Sequence, residues 1–272
     1  MTGDIGGKHG RTLKYDIGWA TDNGMVRKHN EDSLLTLELR LLDGFEGISA
    51  DLYAVADGVG GHEGGEVASS LALRVLTSKV LEFLLLPGLK GEIENVNQGF
   101  LSKVLVEGIK IANSEVYSQG QGKNSDMATT LAAVLVIDST AYIANVGDSR
   151  VYSLDGDKLT QVTTDHSLVA SLVSAGEITQ EEIYTHPQRN IITRCLGTEA
   201  DVEVDLFTEE VKSGISLILC SDGLWEMVRD NTIKDIVLKA ENPQKAYEQL
   251  IKTANKNGGM DNISVVIFRV SS

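Results

Sequence analysis

Residues Leu131–Val162 read "LAAVLVIDSTAYIANVGDSRVYSLDGDKLTQV". Four β-favouring segments alternate there with the short polar turns "DS", "GD" and "DGD", and turn residues at that spacing predict an antiparallel meander. Working outward, apolar or alternating runs predict further strands near Tyr15–Thr21, Leu52–Ala56, Ser216–Cys220 and Ile263–Val270. Helices are expected from Glu66, from Leu101, and near Thr232–Lys239 and Gln244–Asn255. Strand hairpins mixed with helix pairs point to an α+β layered fold rather than a doubly wound one.

A chain of 272 residues, 42% of them hydrophobic, can bury a substantial core as one large domain or two small ones. It shows no low-complexity tract, long linker or internal repeat, and Pro87, Pro187 and Pro243 are widely spaced, so one domain over 1–272 is expected. A net charge of -15 argues against nucleic acid and anionic lipid as partners. No apolar run approaches the ~18 residues of a membrane span, and the N-terminal stretch lacks the apolar centre of a signal peptide. The expectation is a cytoplasmic protein. Two cysteines, Cys195 and Cys220, are too few for a disulfide framework and are read as structural.

The stretch Tyr53–Ser70, "YAVADGVGGHEGGEVASS", places five glycines within eight residues after a single aspartate. Glycine is entropically costly wherever it is ordered, so the chain there turns sharply or approaches something closely. A phosphate cradle, a metal-binding turn and a plain loop are the candidates. The dinucleotide fingerprint fails, because after Gly58 and Gly60 its third glycine position holds Glu63. A P-loop fails too: Gly7-Lys8 precedes His and Gly122-Lys123 precedes Asn. The metal reading begins with Asp57 at the end of an apolar strand. Asp222 in "LILCSDGLW" and Asp261 in "NGGMDNISVVIF" also flank apolar runs. Any one Asp-Gly or Asp-Asn is usually a turn. Three carboxylates brought together by adjacent strands would repel one another unless a cation neutralised them, and an all-oxygen set suits Mg²⁺ or Mn²⁺ better than zinc.

The ordered set "RKHNED", "DGVGGHEGGEVAS", "MATTLAAVLV", "ANVGDSRVYSL", "TTDHSLV", "HPQRNIITRCLG", "CSDGLW" and "GGMDN" resembles the metal-dependent protein phosphatases of the PPM family (type 2C), bacterial branch. The resemblance spans about residues 14–270. It implies a four-layer αββα sandwich of two mainly antiparallel sheets flanked by helix pairs. It implies hydrolysis of phosphoserine and phosphothreonine by direct attack of a hydroxide bridging two Mn²⁺ or Mg²⁺ ions, with a third, weaker ion. The partners would be phosphorylated proteins and a serine/threonine kinase, met by a monomer. Carried over position by position, the metal ligands are Asp57, the Gly58 carbonyl, Glu31, Asp222 and Asp261, with Asp148 joining Asp222 around the third ion. Arg27 would grip the phosphate and Asp32 would orient metal-bound water. His62 stands as either the general acid or a histidine that fixes the loop. Thr129 and Thr130 are expected beside the site, and Asn262 as a partner of its ligands. Residues 165–194 match the flap of that branch, although a helix-turn insertion of no special mobility fits their composition equally well. Ala128 and Cys195 depart from the common pattern, and neither removes a ligand.

A cysteine phosphatase is excluded, because the arginine it needs six residues after its nucleophile is Asp201 after Cys195 and Glu226 after Cys220. The readings that remain beside the phosphatase are a catalytically weak phosphoprotein-binding sensor and a phosphatase of one regulatory factor.

Overall fold

The computed structural model describes residues 15–41, 48–59, 63–90, 97–123 and 126–271. Its strands are β1 (Tyr15–Asp22), β2 (Ser33–Leu41), β3 (Ile48–Ala56), β4 (Gly58–Val59), β5 (Ala128–Thr129), β6 (Leu131–Ile137), β7 (Thr140–Val146), β8 (Arg150–Asp155), β9 (Lys158–Gln161), β10 (Asp205–Glu210), β11 (Ser216–Cys220) and β12 (Ile263–Val270). The longer helices are α1 (Glu63–Val80), α2 (Gln98–Lys123), α3 (Asp230–Lys239) and α4 (Pro243–Lys256). One sheet has the order β10-β7-β6-β3-β2, the other β1-β12-β11-β8-β9, and β4 pairs with β5 in a short ribbon.

Four layers follow from which residues can be dry. Along β3, Leu52 and Ala54 face α1 and α2, where Leu76, Leu105 and Ile109 meet them. Their alternates Tyr53 and Val55 face the opposite sheet and meet Leu217, Leu219, Val266 and Phe268. Along β12, Val265 and Ile267 turn the other way, onto Ile233 and Val237 of α3 and Leu250 of α4. A strand covered on both faces has no polar side to show, which is why "LAAVLVI" and "ISVVIF" are continuous rather than alternating. Each fully buried Leu or Ile contributes about 1.5–3 kcal/mol to such a core. The αββα sandwich implied by the motif resemblance is the observed architecture.

The meander reading of Leu131–Val162 is corrected. The segments are all strands, but β6 and β7 form a hairpin in one sheet while β8 and β9 form a hairpin in the other. Val146 pairs with Leu131, and four residues later Arg150 pairs with Cys220 across the sandwich. "GDS" is therefore a crossover between sheets. The side chain of Arg150 explains the switch. It is fully buried, its Nε and Nη2 donate to both carboxylate oxygens of Asp165 (3.0 and 2.6 Å), its Nη1 donates to the Tyr152 hydroxyl (2.9 Å), and its guanidinium stacks 3.6 Å from the Trp225 ring. A buried guanidinium must keep its matched charge, so β8 is held where Asp165 and Trp225 lie.

Helix α1 begins at Glu63, three residues ahead of expectation, and takes Gly64 and Gly65 into its first turn. Helix propensity disfavours that, but a Cβ at Gly65 would come within 2.5 Å of Glu31 Oε2, so close packing decides it. At α4 the local signals agree: Asn242 Oδ1 accepts the Lys245 amide (2.9 Å) and Pro243 opens the first turn.

Candidate metal centre and phosphate cleft

The site lies where the ends of the two sheets meet. Asp57 follows β3 of one sheet, whereas Asp222 follows β11 and Asp261 precedes β12 of the other. Adjacent strands bring only Asp222 and Asp261 together; Asp57 reaches them because the sheets are stacked.

Backbone bonds hold Asp57 in place. Its N–H donates to Thr130 Oγ1 (3.0 Å), and its carbonyl accepts from the Thr130 amide (2.9 Å) and the Thr129 hydroxyl (2.8 Å). The Gly58 amide donates to the Glu31 carbonyl (3.2 Å), and the Glu31 amide donates to Asn262 Oδ1 (2.8 Å). Asn262 is a clamp as well, since its Nδ2 donates to the carbonyls of Asn23 and His29. At Gly223 a Cβ would lie 2.1 Å from the Asn262 carbonyl oxygen, so only glycine lets the helical turn Asp222–Trp225 approach Asp261.

Arg27, Glu31, Asp57, Gly58, Asp222 and Asp261 line one cleft of about 160 Å³, with Asn190 and Ile192 on its wall. Arg27 Nη2 donates to Asp261 Oδ2 at 2.7 Å, and half of the arginine side chain is open to solvent. Asp32 and Asp148 are buried beside this cleft. Ser221 Oγ donates to Asp32 Oδ2 (2.7 Å) and accepts the Ser264 amide (2.9 Å), while Trp225 Nε1 donates to the Asp148 carbonyl (3.0 Å). Of the nine residues given a ligand or catalytic role from the sequence, six line the cleft and Asp32 and Asp148 lie buried beside it. His62 lies outside the described residues. Asp148 lies in the crossover between the sheets rather than in a hairpin turn, as the "GD" of a meander would have placed it. Sequence reasoning missed Ser221, Glu226 and Asn190, and the first and last stood inside the quoted motifs "CSDGLW" and "HPQRNIITRCLG".

Electrostatics make the cluster costly as it stands. Burial first, then the nearby charges of Asp32, Asp222, Asp148 and Asp261, hold the Asp57 carboxyl well above the usual range. Burial and then Asp148, Asp261, Glu226 and Asp32 do the same to Asp222. Burial pushes Asp32 up to about 6 against the pull of the Ser221 hydrogen bond. Asp148 rises to about 7, by burial and the Asp165 charge. Glu31 is raised by burial, with Arg27 opposing.

Three carboxylate oxygens, Asp32 Oδ1, Asp148 Oδ1 and Asp222 Oδ1, are buried and receive no hydrogen bond. Among the described residues no three His, Cys, Asp or Glu side chains converge as a closed ligand cluster. The fit of a hard divalent cation rests instead on these unpaired oxygens and on the mutual repulsion a cation would relieve, and the residues meet both conditions. A prediction follows for chelated protein. Asp32 and Asp148 bind protons more tightly folded than their ordinary 3.8, so their neutral forms favour the fold and that advantage disappears as pH rises through about 6 and about 7. In EDTA the Tm should fall between about pH 4 and 7.5, and Mn²⁺ should restore most at the alkaline end. An equal slope in the Asp148→Asn variant would contradict this assignment.

The protein phosphatase 2C family model matches residues 32–262. The chain belongs to the protein phosphatase 2C family. This 2C-type phosphatase is 39% identical over 247 residues to the serine/threonine phosphatase stp of Listeria innocua serovar 6a, covering 91% of this chain and 92% of that protein. The structure of the S. agalactiae serine/threonine phosphatase matches it with a TM-score of 0.81 at 31% identity, over 95% of this chain and all of that one. The catalytic domain of the serine/threonine protein phosphatase PstP, solved in complex with two manganese ions, matches with a TM-score of 0.75 at 32% identity, over 95% and 100% of the respective chains.

In this phosphatase, residues 165–194 leave and rejoin the fold beside the cleft. The His166 amide donates to the Gly147 carbonyl (2.9 Å) and the Thr193 amide to the His166 carbonyl (2.8 Å), so both ends of the segment are tied to the crossover. Between them lie the helix Leu168–Ser174, capped by Ser167 Oγ, and the turn Glu182–Thr185. Arg189 reaches Glu226 at 3.5 Å, one helical turn beyond Asp222.

Proposed function

We propose that this chain is a metal-dependent serine/threonine protein phosphatase that hydrolyses phosphoserine and phosphothreonine in proteins and so reverses a serine/threonine kinase. One observation carries the reading: carboxylates from both sheets line a small cleft with an arginine at its rim, and carboxylate oxygens of Asp222 in it and of Asp32 and Asp148 beside it are buried and unpaired. Asp57, Asp222, Asp261, Glu31 and the Gly58 carbonyl are the proposed holders of two Mn²⁺ or Mg²⁺ ions. Such a pair, when bound, neutralises phosphate charge and acidifies water, the two effects that slow monoester hydrolysis most needs. Arg27 orients the phosphoryl group through its planar fork, and its bond to Asp261 sets it at the rim beforehand. Asp32, fixed by Ser221, is placed to accept a hydrogen bond from water in the site. The whole chain is read as one catalytic domain, residues 165–194 as its flap, and the enzyme as a cytoplasmic monomer. No described helix is long and apolar enough to cross a membrane. A weak sensor is not favoured, since every matched ligand position keeps its oxygen donor.

EDTA should abolish hydrolysis of p-nitrophenyl phosphate and Mn²⁺ or Mg²⁺ should restore it, with phosphoserine and phosphothreonine peptides cleaved well and phosphotyrosine peptides poorly. Full activity in chelator, or a phosphotyrosine preference, would overturn the reading. Asp148 is the proposed ligand of a weaker third ion together with Asp222. The Asp148→Ala variant should keep two tight Mn²⁺ ions, lose a weak one and turn over phosphopeptides slowly. Anomalous diffraction from crystals soaked in high Mn²⁺ tests this, and three peaks in the variant would remove Asp148 from the ligand set.

A further inference from the structure

Next to the catalytic cleft lies a larger groove of about 530 Å³, between the C-terminal end of α2 and residues 190–198. Val59, Asn190 and Ile192 line both spaces, so they are neighbouring chambers with a shared wall. Their sizes divide the work. The cleft, at about 160 Å³ and ringed by charge, accommodates little more than a phosphoryl group, whereas the groove falls within the ~300–1,000 Å³ range typical of ligand pockets. Its walls mix polar groups with the apolar surface of Tyr117, Ile191 and Ile192, of which Ile191 is 43% exposed. An exposed carboxylate, Asp126, stands at its lining.

We propose that this groove is a specificity subsite of the phosphatase, taking the apolar side chain of a residue next to the phosphorylated one in an extended segment of the substrate protein. The proposal rests on the phosphatase reading of the neighbouring cleft. A phosphorylated side chain seated in the cleft leaves its backbone at the rim, and an extended chain advances about 3.3–3.6 Å per residue, so the adjoining side chains fall within reach of the shared wall. An apolar side chain buries surface against Tyr117 and the two isoleucines. An acidic neighbour would instead meet Asp126 and the carboxylates of the cleft, in a chain already at -15.

Cys195 lines the groove and is partly accessible, while the second cysteine, Cys220, is fully buried. A bulky maleimide on Cys195 therefore fills the groove selectively. The experiment measures kcat/KM for p-nitrophenyl phosphate and for two phosphothreonine peptides, one with leucine beside the phosphothreonine and one with serine there. The modified enzyme should lose about tenfold on the leucine peptide, through KM, and little on the serine peptide or p-nitrophenyl phosphate. In Cys195→Ala protein the reagent should have no effect. Gln121→Trp, a groove residue on an exposed helical position, should reproduce the loss without chemistry. Unmodified enzyme that treats both peptides alike, or a Gln121→Trp variant that keeps the leucine preference, would overturn the subsite. Equal losses on peptides and p-nitrophenyl phosphate would also overturn it, since the groove would then be acting through the catalytic centre. Absence of p-nitrophenyl phosphate hydrolysis by the unmodified enzyme with Mn²⁺ would remove the phosphatase reading beneath it.

Discussion

Asp57→Asn and Asp222→Asn are each expected to lower kcat by on the order of 10³-fold or more while the protein folds normally. The carboxylates stand at strand ends, outside the apolar layers, so no core contact is lost. What is lost is negative charge opposite a cation. In EDTA the same change should raise the Tm, because burial and the neighbouring carboxylates make the ionised form of each of these groups costly, and an amide carries no charge to repel them. Loss of activity together with gain of metal-free stability distinguishes a ligand from a structural aspartate. Variants that unfold, or that turn over near the parent rate, would contradict the assignment; thermal melts in EDTA and steady-state kinetics with Mn²⁺ measure both.

The Gly58→Ala variant should fail for a different reason. A Cβ at Gly58 would lie 2.3 Å from the Gly65 carbonyl oxygen and 2.6 Å from that of Glu31. Both are backbone atoms, so neither can swing aside, and β4 must separate from the start of α1. Overpacking of this kind costs about 1–3 kcal/mol, and here it also displaces the Gly58 carbonyl proposed to face a metal ion. Reduced Tm with weakened Mn²⁺ affinity is the expected pair of results. Gly122→Ala is the control, since nothing lies within 4 Å of its Cβ and a helical alanine should add about 0.5–1 kcal/mol. Equal behaviour of the two variants by calorimetry would show that the close approach at Gly58 is unimportant.

Local chemistry made much of this protein legible beforehand. Apolar runs bounded by turn residues located β6, β7, β11 and β12, because a strand buried on both faces needs such a run and little else, while the "DGD" turn located the hairpin of β8 and the edge strand β9. Asp57, Asp222 and Asp261 stood out at the ends of those runs. The cofactor cradles were excluded by single residues, Glu63 among them. The ordered motifs implied the family and the αββα layering. What the sequence could not say is which sheet each strand joins. Periodicity reports how a strand's two faces are buried, not by what, so the meander reading of Leu131–Val162 holds for the hairpins β6–β7 and β8–β9 and is wrong only in pairing β7 with β8. The buried Arg150, matched by Asp165 fifteen residues later and by the Trp225 ring, settles that pairing through contacts distant along the chain. The same stacking of sheets carries Asp57 to Asp222 and Asp261, turns Asp148 from a turn residue into a buried carboxylate, and opens the groove beside the cleft. Those outcomes belong to tertiary structure because the repulsion of like charges, and the contacts that oppose it, exist only once both sheets are in place.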